Sequence, residues 1–306
     1  MLKVEKLDSS QFDEVKGLLA GFPGRWTEDD WRRIFDYRWD KEENYCGLVL
    51  KDQDTPVGFL GLIFSRKQIG PNVEKFCNIT SWIVKEEYRS RALALIFPIL
   101  AMKDYTITDL SPSSKVHQLQ NKLGFDDLDT ACRILLPFGR RLSQPNIENL
   151  EIATNKIEIE KGLQGEHLRI FRDHKIYNCL HLLVHHQNKY CYITFSKLKR
   201  KRIRFAHVHY ISDPALFSRA YPKIRKAINT AANSKLVFID SRHVKNMRLP
   251  VSITLPFRSP RQYRSSSLKP EQIDNLYSEV MLLDLVRYPK FRYLVQHWRQ
   301  RVFSSE

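Results

Sequence analysis

Residues 81–100 read SWIVKEEYRSRALALIFPIL. An apolar strand passes within a few residues into an apolar helix, so the chain must contain mixed α/β structure. The junction carries Arg89, Ser90, Arg91, Ala92, Leu93 and Ala94. A helix N-terminus leaves backbone N–H groups unpaired and carries partial positive charge, and a diphosphate fits there. Small residues allow close approach to the backbone, and an arginine at the entrance adds charge-assisted hydrogen bonds.

The rest of the first 140 residues reads as strands and helices around this junction. MLKVEKL is a strand. SSQFDEVKGLLAGF is a helix with Ser9 or Ser10 as its cap, broken by Pro23-Gly24. TEDDWRRIFDYRW is a second helix, with Thr27 as cap and acids in its first turn. YCGLVLKD and PVGFLGLIFSR are strands joined by a turn, and KFCNITSWIV is the strand that enters the junction. The following helix bends near Pro98. YTITDLSP is a strand. SSKVHQLQNKLGF is a helix stopped by Gly124, and TACRILLPF is a last strand. The order is β-α-α-β-β-β-α-β-α-β, followed by RRLSQPNIENLE, a polar linker.

The second half repeats part of this order. KYCYITFSK and RFAHVHYIS are strands joined by the basic turn LKRKRIR. Ser212-Asp213-Pro214 opens a helix, with proline at the first helical position. KLVFIDSR is the next strand. The strand-helix-strand order matches residues 76–109 with an offset of about 130, which reads as a degenerate internal repeat. The chain's 306 residues favour two domains.

The junction and the segment after it resemble the GNAT acyltransferase superfamily. The signature of that family is an Arg or Gln, two residues, Gly, one residue, and Gly or Ala, after a strand ending in Val. Val84 and Arg89-Ser90-Arg91-Ala92-Leu93-Ala94 match it, and Leu123-Gly124-Phe125 matches a second motif. The resemblance covers residues 1–140. It implies a mixed, mostly antiparallel central sheet flanked by helices, duplicated in this chain, and acetyl-coenzyme A or another acyl-coenzyme A as co-substrate. It further implies that Trp82, Ile83 and Val84 pair with the pantetheine arm, that Arg89 to Ala94 cradle the diphosphate, and that Ser113 lies near the cofactor. Three residues depart from the family. Ala92 replaces a Gly, Ser113 replaces a loop Asn, and Gln120 stands where a Tyr commonly protonates the departing thiolate. The strand before the junction also lacks the Glu of many relatives. Asp109, at the end of a strand, is the candidate base, with Ser113 as a second catalytic candidate.

These features imply a GNAT-like acyl-coenzyme A domain over 1–140 and a degenerate second copy over 141–306 that shapes the acceptor site. The second copy lacks the phosphate signature, and Asp213 at its helix start would repel a phosphate. The expected reaction moves an acyl group to an amine or hydroxyl of a small molecule. YISDPALF and LYSEVMLLDL resemble uncharacterised GNAT-like proteins of bacterial polysaccharide clusters, which implies a sugar or nucleotide-sugar acceptor. Two rivals stand beside this: a tandem-GNAT aminoacyl transferase using charged tRNA, and a scaffold that binds without chemistry.

The net charge of +16 calls for an anionic partner, such as nucleic acid, an anionic membrane surface or a phosphate-bearing ligand. The recognisable diphosphate loop favours coenzyme A over nucleic acid. No window of about 18 apolar residues occurs, so no transmembrane helix is expected. Cys46, Cys77, Cys132, Cys179 and Cys191 are scattered and form no CxxC pair, as expected of reduced cytoplasmic thiols. His207 and His209 share a strand face with no metal-ligand pattern around them, and no metal is expected. Residues 270–285, PEQIDNLYSEVMLLDL, read as an amphipathic core helix after a basic loop over 259–270. YPKFRYLVQHWRQRVF reads as a basic aromatic helix for the body of the protein or a membrane surface.

Overall fold

The computed structural model describes residues 1–22, 26–136, 147–200, 203–256 and 259–285. The linker after 140, the break at 23–24, the tip of the LKRKRIR turn and the C-terminal basic segment lie wholly or partly outside them. The chain divides into two compact units. The first joins Met1–Leu128 to Pro260–Leu285, and the second is built on Asp129–Ser259. The division falls after Leu128 instead of near 140, and part of the far end of the chain returns to the first unit.

In the first unit the elements run β1 (Leu2–Leu7), α1 (Phe12–Ala20), α2 (Glu28–Phe35), β2 (Gly47–Asp52), β3 (Thr55–Ile69), β4 (Asn72–Val84), α3 (Leu93–Leu100), β5 (Tyr105–Asp109), α4 (Ser114–Lys122) and β6 (Asp126–Asp127). In the second they run β7 (Cys132–Leu135), β8 (Leu150–Ala153), α5 (Lys156–Gly162), α6 (Gly165–His174), β9 (Leu180–His186), β10 (Lys189–Arg200), β11 (Ile203–Ile211), α7 (Pro214–Ala232), β12 (Leu236–Asp240) and β13 (Ser252–Leu255). β14 (Gln262–Arg264) and α8 (Glu279–Leu282) complete the first unit.

The two seven-stranded sheets have one topology. The first is ordered β1-β2-β3-β4-β5-β14-β6 and the second β8-β9-β10-β11-β12-β7-β13. Each contains one parallel pair, β4 with β5 and β11 with β12, and is otherwise antiparallel. β12 begins at Leu236 and β5 at Tyr105, so the repeat offset is 236 − 105 = 131. The sixth place in each sheet is filled by a strand from the other half of the sequence. TACRILLPF, read as the last strand of the first domain, supplies β7 to the second sheet. The basic loop at 259–270 supplies β14 to the first.

Each sheet buries one face under its central helix. In the first unit Leu60, Leu62, Phe64, Cys77 and Ile79 meet Leu95, Ile96 and Ile99 of α3. In the second, Ile193, Ala206 and Val208 meet Leu216, Phe217, Ile224 and Ile228 of α7. α1 and α2 interlock through Phe12 and Phe35, whose ring centroids lie 4.9 Å apart. Phe35 then stacks on Phe59 of β3.

Several local readings hold and some change. Thr27 caps α2 in a capping box with Asp30. Ser9 and Ser10 are not caps: Asp8 accepts from the Ser10 N–H and opens a short 3-10 turn before α1. Gly124, at φ +82°, ends α4 as expected. Residues 270–285 are not one helix. A 3-10 turn at Pro270–Gln272 leads to Tyr277 at φ +56°, and only Glu279–Leu282 is helical. Residues 150–186, for which the sequence suggested no elements, form β8, α5, α6 and β9.

Candidate active site

β4 and β5 pair from Lys75↔Tyr105 to Asn78↔Thr108, and there the pairing stops. β4 continues to Val84 without a neighbour on that edge, so the strands splay into a notch. On its other edge β4 is bulged. Gly61 faces Thr80 and Phe59 faces Ile83, so Leu60 opposes both Ser81 and Trp82. Ser81 takes φ +50° to make the bulge. Gly61 permits the close approach, because a Cβ there would lie 2.9 Å from Thr80 Cγ2. The bulge re-aims Trp82, Ile83 and Val84, which are half-buried along the open edge. Backbone groups on such an edge are available to a ligand that pairs like a strand.

Beyond Val84 the chain turns through a 3-10 segment, Glu86–Arg91, into α3. Ala92 precedes the helix in αR conformation and offers no side-chain cap. The first turn of α3 therefore has no side chain bound to its N–H groups, as an anion site requires. Arg89 Nη1 donates to Glu86 Oε1 at 2.7 Å, and both side chains are mostly exposed. An exposed pair of this kind is worth about 1 kcal/mol or less, so a phosphate can displace the carboxylate. Ser90 and Arg91 are exposed, and Ala92, Leu93 and Ala94 are half-buried. Tyr88 Oη donates to Asp52 Oδ2 at 2.8 Å and ties the turn to the end of β2.

Where the notch opens, a buried polar network crosses the sheet. Asn78 Nδ2 donates to the Thr108 carbonyl at 3.3 Å and to its Oγ1 at 3.0 Å, and Asn78 Oδ1 accepts from the Glu279 N–H at 3.0 Å. Glu279 Oε1 accepts from the Leu110 N–H at 3.2 Å and from Ser111 Oγ at 2.9 Å. Its Oε2 is buried and has no hydrogen-bond partner among the described residues. Asp109 accepts from Gln120 Nε2 at 2.8 Å and from the Ser111 N–H at 3.2 Å. Asp109 is 5% exposed and Glu279 is 0% exposed. Burial, reinforced by the nearby Asp109 charge, pushes the Glu279 carboxyl up to about 8.

Glu279 was missed in the sequence. It sits in a run that reads as core helix, and the residues that hold it are 168 to 201 positions away. The only local signal was an acid flanked by apolar residues in LYSEVMLLDL. Of the residues expected in the site, Asp109 lies in this network. Ser113 does not: its hydroxyl caps α4 by accepting from the Val116 N–H at 3.3 Å, and its side chain is exposed. Gln120 is buried and holds Asp109, and an amide has no proton to give a thiolate at neutral pH.

The second unit fills the corresponding places differently. At the start of α7, Asp213 Oδ1 accepts from the Leu216 N–H at 2.8 Å. The chain's own carboxylate occupies the position an anion would take. On the opposite face, His207 Nε2 lies 3.6 Å from Asp240 Oδ1, and His209 Nε2 is 2.9 Å from Ser196 Oγ. Among the described residues no three His, Cys, Asp or Glu side chains form a group able to hold a metal ion. All five cysteines are free and buried, and burial pushes the thiols of Cys46 and Cys191 up to about 12. Among the described residues no helix is long and apolar enough to cross a membrane.

The comparisons with known proteins agree with this architecture. Residues 13–95 match the acetyltransferase (GNAT) family. No curated protein matches the sequence. A GCN5-related N-acetyltransferase from Kribbella flavida superposes with a TM-score of 0.56 at 13% identity, over 87% of this chain and 71% of that one. A GCN5-related N-acetyltransferase from Anabaena variabilis gives 0.55 at 15% identity, over 86% and 72%. A probable N-acyltransferase from Enterococcus faecalis gives 0.57 at 11% identity, over 88% and 74%. With the family's sequence matched in its first unit and one topology built twice, this chain has the fold of the GCN5-related N-acetyltransferases.

Proposed function

We propose that the protein transfers an acyl group from acyl-coenzyme A to an amine or hydroxyl of a small molecule. The observation that carries this reading is the notch: β4 splays from β5 after Asn78 and runs on to an uncapped start of α3 at Ala92. In this reading the backbone of Trp82, Ile83 and Val84 pairs with the pantetheine arm. Arg89, Ser90, Arg91, Ala92, Leu93 and Ala94 hold the diphosphate, with Arg89 leaving Glu86 for the phosphate. Asp109 stands at the mouth of the notch as general base. The helix-capping contact of Ser113 supports a structural duty for it and no chemical one. The capped helix start at Asp213 supports a single cofactor per chain, in the first unit.

Calorimetric titration of acetyl-coenzyme A into the full chain, beside an Arg89→Glu, Ala92→Glu double variant, tests the reading. One saturable site is expected, lost in the variant because two carboxylates then face the diphosphate. Absence of binding by the natural protein would end the acyl-transfer reading and turn attention to charged tRNA, for which the net charge of +16 is suited.

A further inference from the structure

Two carboxyl groups are buried where β4 and β5 part, and they come from opposite ends of the sequence. Asp109 ends β5, and Glu279 opens α8 on the returning segment. The contacts of Glu279 assign the place of its proton. Oε1 already accepts two hydrogen bonds, so a proton on this side chain resides at Oε2, the atom without a partner among the described residues. The groups around it are otherwise neutral. Asn78 faces it from β4, Leu110 and Ser111 follow β5, and the buried face of α2 presents Trp31, Ile34 and Phe35. Lys67 of β3 and Asp274 of the returning segment pair with each other beside Ser278. Asp109 is left as the charge that Glu279 meets.

Two strained backbone positions, Ser81 at φ +50° in the bulge and Tyr277 at φ +56° just before Glu279, lie on the segments that carry the network. Residues in such conformations persist where the surrounding structure imposes them, and they concentrate at functional sites. A carboxyl buried without full hydrogen bonding is costly, and a chain that needed only packing would place an apolar residue there.

We propose that Asp109 and Glu279 form a proton-sharing carboxyl pair: Asp109 takes the proton of the attacking nucleophile, and Glu279, a positioning residue behind it, holds the proton that the departing thiolate needs. The inference rests on the acyl-transfer reading. The balance is simple. A neutral amine or hydroxyl forms its bond to the thioester carbonyl carbon and loses one proton to Asp109. The C–S bond breaks with its electron pair going to sulfur. The pair returns one proton to that sulfur and ends as it began. This arrangement accounts for Gln120, which cannot supply a proton and instead holds Asp109 in place.

Two measurements on the full chain test the pair. The first is infrared difference spectroscopy below and above pH 8. A carboxylic acid C=O band is expected below that pH, lost above it, and absent from Glu279→Gln. In Asp109→Asn the same band should titrate at lower pH, because the neighbouring charge is gone. A natural protein without this band overturns the proposal. The second follows thiol release from acetyl-coenzyme A with a panel of small primary amines. Glu279→Gln, which preserves shape, should bind acetyl-coenzyme A with the natural affinity yet lose about 100-fold or more in kcat. Its remaining activity should lack the decline above pH 8. Binding together with natural kcat and an unchanged pH profile overturns the proposal alone. If the natural protein does not bind acetyl-coenzyme A, the acyl-transfer reading fails and takes this inference with it. If it binds and no amine on the panel turns over, the infrared band decides.

Discussion

Glu279 shows how a single side chain can weaken a fold. Its carboxyl titrates near 4.5 when unfolded and at about 8 in the folded chain. Below pH 4.5 both states hold the proton and nothing is lost. As the pH rises from there toward 8, the unfolded chain releases the proton and the folded chain keeps it, so stability falls. At about 1.4 kcal/mol per pH unit this amounts to a few kcal/mol above pH 8. Glu279→Gln should therefore unfold at higher denaturant than the natural protein at pH 8.5 and at nearly the same denaturant at pH 4.5. Equal midpoints at both values would mean that the carboxyl is not held neutral. The phosphate cradle was legible in the sequence because strand, arginine, alanines and helix are contiguous there. Glu279 was not, because its meaning lies in Asn78, Leu110 and Ser111, which only the folded chain brings to it.

At the scale of elements, the equivalent helix starts of the two units have opposite chemistry. Ala92 leaves α3 open, and Asp213 closes α7 with its own carboxylate. Asp213→Ala should cost about 0.5–2 kcal/mol in denaturant unfolding, the usual effect of losing such a cap. It should leave acetyl-coenzyme A stoichiometry at one per chain, since the second unit also lacks the arginine signature. α7 was readable from Asp213 and Pro214, two adjacent residues with fixed meaning at a helix start. The segment at 270–285 misled for the converse reason. Its apolar residues have helical spacing, but Ile273 and Val280 are buried with Leu110, Leu128 and Tyr263 of the first unit. Tyr277 turns through positive φ to let Glu279 reach Asn78. Packing on the sheet outweighs a helix propensity of a few tenths of a kcal/mol per residue.

At the scale of the molecule, the exchanged strands make a cut after residue 140 ineffective. A fragment 1–140 would carry β7 without its sheet and lack β14, leaving β5 and β6 unpaired on one edge. Such edges aggregate. The fragment is expected to show no cooperative thermal unfolding by circular dichroism and no acetyl-coenzyme A binding, while the full chain shows the first. A folded, monomeric fragment would mean that β14 is dispensable. Fold class and the repeat of 131 residues were legible, because strand-helix-strand order is local to each half. The exchange was not: a strand's alternation tells which face it buries and not which sheet receives it.

The exchange also bears on how such a chain can change over generations. A duplicated unit that binds no cofactor would ordinarily be free to decay or be deleted. Here the instructions for finishing the first unit, a strand and a buried acid, are written downstream of the second. A deletion running from the silent copy to the end of the gene would remove the active unit's last parts. Selection on those parts therefore shelters the second unit, whatever that unit does by itself.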